Sequence, residues 1–276
     1  MIIDAHCHAG KGDGLTGPWD TDATLSRYLR RASRAGIDRT VLFAAFHSDY
    51  TLANRAVARM VAVSRDRFFG FAFVHPVNDR GRVRAMVREA VEAHGFVGIK
   101  VHRHDGRITR EICEAALEFR LPVLYDVMGQ VSSVHLLARE YPAVNFIIPH
   151  LGSFADDWAA QQQFIDPLSR FANIYTDTSG VRRFDLLAEA VRRAGAEKIL
   201  FGSDGPWLHP GVELAKVRLL GLSPRALSAV LGGNFLGLIQ SVRVGRSDRH
   251  ISMNPGLGAL PAAADPWAAT GMDGPQ

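Results

Sequence analysis

The 276-residue sequence predicts an α/β fold, a (β/α)8 barrel followed by a C-terminal tail. Three observations carry that expectation. Eight apolar, β-rich runs alternate with segments of helical spacing, the runs are near-continuously apolar, and eight such units fit within residues 1–240. Strands buried on both faces by covering helices read in this way, and eight of them suit a closed barrel. A doubly wound sheet would carry a G-x-G-x-x-G loop after its first strand, and none is present.

The runs are IIDAHCH (2–8), TVLFAAF (40–46), FFGFAFV (68–74), FVGIKVH (96–102), LPVLYDV (121–127), VNFIIPH (144–150), NIYTDTS (173–179) and KILFGSD (198–204). Helices are expected between them, for example over 22–36 and 82–95. In the second, Val83, Met86, Val87, Ala90 and Val91 recur at i, i+3, i+4 while Arg and Glu fill the other face. Gly36 and Gly95 stand where helices end. Residues 241–276 lose periodicity and are rich in Pro, Gly and Ala, so they read as a flexible tail, with an arm on a neighbouring subunit of a homodimer as the alternative.

Composition narrows the function classes. At 47% hydrophobic residues a sizeable core is expected, and the net charge of +4 comes without any run of five basic residues, which argues against nucleic acid as a partner. No apolar stretch approaches a membrane span, and no charged-then-apolar leader precedes the first run. Two cysteines, Cys7 and Cys113, suggest no disulfide framework, so a reduced, cytoplasmic protein is expected. Only four lysines occur, Lys11, Lys100, Lys198 and Lys216, which draws attention to the one inside a strand, Lys100.

The first run ends in His6 and His8. Alternate strand residues share a face, so the two imidazoles project together while Ile3, Ala5 and Cys7 face the other way. Such a pair suits Zn²⁺ or a similar ion, or else is a polar strand end without a ligand. Barrel chemistry sits at the C-terminal strand ends. There the fourth run offers Lys100 and His102, the fifth Asp126, the sixth His150, the seventh Asp177 and the eighth Asp204. Asp4 reads as an inward structural residue deeper in the barrel. Just past the strands, Arg103 is the candidate for an anionic substrate group, with His47, His104, Trp207 and His209 as weaker ones.

The segments IIDAHCH, GIKVH, IIPHLGS and ILFGSDGPW resemble the amidohydrolase superfamily, and most closely its amidohydrolase-2 branch, over residues 1–240. That resemblance implies a distorted TIM barrel with His6, His8 and Asp204 as metal ligands and His150 as a ligand or the acid/base residue; His150 and Asp204 are the candidate catalytic pair. The branch usually carries a histidine where this chain reads PVLYDVMG, so Asp126 stands at a ligand position. Lys100, His102, Arg103 and Trp207 are then expected to meet the substrate. Lys100 could instead carry a bridging carbamate or pair with Asp126. The expected cofactor is a divalent ion, Zn²⁺ first and Mn²⁺ or Mg²⁺ as alternatives favoured by the extra carboxylate. The expected activity is hydrolysis of a small amide, lactone or ester. Non-oxidative decarboxylation of a small carboxylic acid and a non-catalytic metal-binding barrel are the alternatives.

Overall fold

The computed structural model describes residues 1–15 and 22–242, so most of the expected tail lies outside the described residues. The eight predicted runs become parallel strands in chain order: β1 (Ile3–Lys11), β3 (Arg39–Ala44), β4 (Phe68–Phe73), β5 (Gly98–His102), β6 (Val123–Asp126), β7 (Phe146–Ile148), β8 (Ile174–Asp177) and β9 (Ile199–Leu200). A short strand not expected from the sequence, β2 (Asp22–Ala23), pairs antiparallel with Gly10 and Lys11 at the end of β1. The sheet curls until its two ends meet. The amide of Ala5 donates to the Phe201 carbonyl at 2.9 Å and that of His8 to the Gly205 carbonyl at 2.7 Å, closing the barrel just beyond β9.

Helices cover the outside: α1 (Leu25–Ala35), α2 (Tyr50–Val63), α3 (Val83–Glu92), α4 (Arg110–Phe119), α5 (Val134–Glu140), α6 (Trp158–Arg170), α7 (Phe184–Ala194) and α8 (Pro210–Arg218). In α1 the apolar spacing buries Leu25, Tyr28 and Ala32, and Gly36 ends it in the left-handed conformation at φ 76°. Asp49 starts α2 by accepting from the Thr51 and Leu52 amides. Two short helices, α9 (Pro224–Ser228) and α10 (Asn234–Ile239), follow, and Phe235 of α10 packs on Phe69 and Phe71 of β4. Inside, strands approach too closely for a side chain at Gly98, where a Cβ would lie 2.4 Å from the Phe71 ring. Among the described residues, no helix is long and apolar enough to cross a membrane.

Two departures from the sequence reading bear on function. First, the register of β1 against β3 shifts between Asp4 and Cys7, and that bulge reverses which face Asp4 takes. Asp4 accepts the Tyr28 hydroxyl of α1 at 2.7 Å and the Ser203 amide at 2.8 Å, so it ties strand to helix instead of pointing inward with His6 and His8. Second, the sixth and eighth runs leave regular strand geometry early. His150 and Leu151 turn into left-handed backbone (φ 59° and 53°), as does Asp204 (φ 55°). Such conformations cost energy in residues with a Cβ and gather at sites where a side chain must be aimed.

Candidate metal centre and active site

The site is best built from where each imidazole keeps its proton. His8 Nδ1 lies 3.0 Å from the carbonyl oxygen of Ala44, at the end of β3. A carbonyl only accepts, so Nδ1 carries the hydrogen and Nε2 of the neutral ring is bare. His6 Nδ1 lies 2.8 Å from Asp177 Oδ2 at the end of β8. Burial would raise the Asp177 carboxyl, but His6, with further help from His150 and Ser179, holds it below the ordinary carboxylate range. It is therefore an acceptor, and His6 Nε2 is bare as well. Burial also draws both imidazoles below their ordinary value of 6.5, which keeps them neutral.

The two bare nitrogens point at one carboxylate oxygen. Asp204 Oδ1 lies 3.3 Å from His6 Nε2 and 3.7 Å from His8 Nε2. Two lone pairs and an anionic oxygen face one another with no hydrogen to share. A cation relieves that arrangement. Ligand atoms of His6, His8 and Asp204 all lie within 4.8 Å of one another, and an outer partner fixes each ring. Two imidazole nitrogens and a carboxylate oxygen fit a divalent ion.

A second cluster faces the same cavity. His150 Nδ1 meets the Ser179 carbonyl at 2.7 Å, so in the neutral ring its Nε2 is bare, 3.6 Å from Asp126 Oδ2. The strained turn at His150 is held by Gln161, whose amide donates to the His150 and Ser153 carbonyls. In His102 the tautomer is reversed. Nδ1 accepts the His104 amide at 3.1 Å, so in the neutral ring Nε2–H donates to Asp126 Oδ2, also at 3.1 Å. The other Asp126 oxygen accepts the Met128 amide at 2.8 Å. Burial alone would raise the Asp126 carboxyl, but His102, His150 and Lys100 hold it well below the usual range. Asp126 thus has both oxygens committed on the protein side and stands apart from the convergent set of His6, His8 and Asp204.

A cavity of about 400 Å³ joins the two clusters, lined also by Lys100, Phe46, Met128, Ser153, Phe154 and Trp207. Of the residues expected from sequence, His6, His8, Lys100, His102, Asp126, His150, Asp204 and Trp207 all meet there. Trp207 packs on His8, with ring centroids 4.6 Å apart. Arg103 is not among the lining residues; its Nε donates to Gln130 at 3.0 Å. The pairing of Lys100 with Asp126, one of the alternatives weighed for that lysine, is not formed, since Lys100 Nζ has no hydrogen-bond partner. His47 and His209 serve local turns, accepting the Asp49 and Gly211 amides. Sequence reasoning missed Phe46, Met128, Ser153 and Phe154. A signal existed for two of them, because Phe46 closes the second predicted run and Met128 stands two residues past the Asp126 strand end.

A parallel barrel with a histidine- and carboxylate-lined cavity at its C-terminal mouth defines a class, the TIM-barrel enzymes that work around a divalent ion. The particular family follows from comparison: the amidohydrolase (Amidohydro_2) family model matches residues 3–234, and the chain belongs to that family. No curated protein matches the sequence. Among solved structures, 5-carboxyvanillate decarboxylase from Sphingomonas paucimobilis superposes with a TM-score of 0.68 at 14% identity, covering 87% of this chain and 99% of its own. A dihydroxybenzoic acid decarboxylase from Polaromonas with bound manganese gives 0.67 at 20% identity, covering 87% and 96%. The 4-oxalomesaconate hydratase of Rhodopseudomonas palustris gives 0.65 at 17%, again covering 87% and 96%. At these identities the likeness is one of fold.

Proposed function

We propose that this protein is a metal-dependent hydrolase that cleaves a small amide, lactone or ester in the cavity at the barrel mouth. His6, His8 and Asp204 would hold the ion, Zn²⁺ by its suitability for imidazole, with Mn²⁺ the alternative. When bound, a divalent ion supplies Lewis-acid polarisation of a substrate oxygen and eases deprotonation of water. The remaining work falls to the chain's own groups.

One observation carries the hydrolytic reading. Asp126 Oδ2 and His150 Nε2 lie 3.6 Å apart on the cavity wall, and in the neutral ring that nitrogen is free to accept a hydrogen. Water that enters there meets a base. The His102 Nε2–H, the hydrogen that could otherwise be delivered to a carbon, is spent on Asp126. Hydrolysis needs a proton removed from water first, and this wall is made to accept one. His150, once protonated beside the Asp126 carboxylate, can return the proton to the leaving group.

Decarboxylation of a planar carboxylic acid is the second reading, favoured by the aromatic walls of Phe46, Phe154 and Trp207, which suit a flat ring. Two of the structural neighbours named above are decarboxylases of aromatic acids. The reading is tested on metal-loaded enzyme with a panel of lactones, esters and amides followed by acid release, and with aromatic carboxylic acids followed by CO₂ release. Acid release that is abolished by chelation and restored by Zn²⁺ or Mn²⁺ is expected. CO₂ release without hydrolysis of any panel member would replace it with the second reading.

A further inference from the structure

His6 and Asp204 come from opposite ends of the chain and meet at the seam where the barrel closes. There the Ala5 amide donates to Phe201 and the His8 amide to Gly205, while the Gly205 amide returns to the His6 carbonyl at 3.3 Å. Between these contacts the later segment is one residue longer than β1, so Ser203 and Asp204 bulge from the ladder. Asp204 takes its left-handed backbone, φ 55°, inside that bulge. A residue with a Cβ keeps such a conformation only where its surroundings over-determine it.

Asp4 supplies those surroundings. Its side chain is fully buried, and both oxygens accept hydrogen bonds. Oδ1 accepts the His6 amide at 3.1 Å and the Ser203 amide at 2.8 Å. Oδ2 accepts the Tyr28 hydroxyl at 2.7 Å and the Ser203 hydroxyl. Ser203 Oγ in turn accepts the Gly205 amide at 3.1 Å, so the residues on both sides of Asp204 lead back to one carboxyl group. Tyr28 braces the same turn, since a Cβ at Gly205 would lie 2.5 Å from its ring. An apolar side chain would fill the seam but leave these donors buried without acceptors.

We propose that Asp4 is a positioning residue of the metal centre, its carboxyl group tying the His6 amide to Ser203 and so setting the aim of His6 and Asp204 toward the ion. This role rests on the reading of His6, His8 and Asp204 as the ligands of a divalent ion. It needs no turnover to be seen.

Co²⁺, whose visible spectrum reports the geometry of its ligands, is the probe, titrated into the metal-free full chain. Asp4→Ala should bind Co²⁺ about tenfold or more weakly than wild type, with a shifted spectrum, as for loss of a group that orients ligands. Asp4→Asn should recover wild-type affinity to within about threefold. Its oxygen can still accept the two amides, and its NH₂ faces the Tyr28 and Ser203 hydroxyls, which can turn to accept. Val87→Ala, a truncation of the buried face of α3, should lower the melting temperature and leave affinity and spectrum unchanged. Should Asp4→Ala not fold, Ser203→Ala, which takes the acceptor from the Gly205 amide, should bind about threefold or more weakly with a shifted spectrum. Wild-type affinity and spectrum in Asp4→Ala or in Ser203→Ala overturn the proposal alone. So does an Asp4→Asn variant no better than Asp4→Ala, or an equal loss of affinity in Val87→Ala. A wild type that binds no Co²⁺ overturns the ligand reading and the proposal with it.

Discussion

The β1/β9 corner and the β5/β6 corner of the cavity use the same residue types to opposite ends. At β1/β9 the outer nitrogens of His6 and His8 are tied to Asp177 and to the Ala44 carbonyl, so both inner nitrogens are bare and meet Asp204. At β5/β6 the tautomer of His102 is reversed by the His104 amide, so its inner nitrogen donates to Asp126. The first corner gathers acceptors that a cation would satisfy. The second holds a carboxylate well supplied with donors, and near it an ammonium without an acceptor. Which corner leaves its inner nitrogens open to an ion is decided by the partner of the far ring nitrogen, not by the presence of histidine.

The comparison breaks most visibly at the first corner. His6→Ala or His8→Ala should lose the ion and all measurable turnover while the barrel stays folded, checked by metal analysis and circular dichroism. Next in size is Asp126→Asn. Its carboxylate stands outside the convergent set, so metal content should hold while turnover falls about 10²-fold, because His150, the base beside it, loses the carboxylate that steadies its protonated form. A fall in metal content would instead make Asp126 a ligand. Asp177→Asn, which replaces the charged acceptor of the His6 Nδ1 hydrogen by a neutral one, should weaken metal affinity about 10–100-fold by titration.

Acidity gives a smaller, signed effect. Burial lowers His6 and His8 below their ordinary 6.5, so the unfolded chain binds more protons than the folded one as pH falls through that value. Stability of the metal-free protein should therefore be full above about pH 6.5 and decline below it, and saturating Zn²⁺ should raise the melting temperature across the range without removing the decline. Melting temperature against pH, with and without metal, reads this directly. The smallest effect is expected for Arg103→Ala, which removes one exposed hydrogen bond to Gln130 and should change stability by about 0.5 kcal/mol or less and turnover little.

Much of this was legible before any coordinates, because barrel chemistry sits at strand ends and strand ends can be read from where an apolar run stops. His6, His8, His102, Asp126, His150 and Asp204 were all found in that way, and all line one cavity. What stayed hidden depends on contacts distant in sequence. The Ala44 carbonyl, 36 residues from His8, and Asp177, 171 residues from His6, set the tautomers, and no local pattern announces them. The bulge in β1 hid the true face of Asp4, since period-two alternation assumes an unbroken ladder. Arg103 failed as a pocket residue because the side chain one position beyond His102 falls to the other side of the strand end, where Gln130 accepts it.

The most direct test of the central claim is a crystal structure of the protein soaked in Mn²⁺ or Zn²⁺, with the ion located by its anomalous signal. The account predicts a single strong peak bound by His6 Nε2, His8 Nε2 and Asp204 at about 2.0–2.3 Å. A peak held by Asp126 and His102 instead, or none at the barrel mouth under saturating metal, would contradict it.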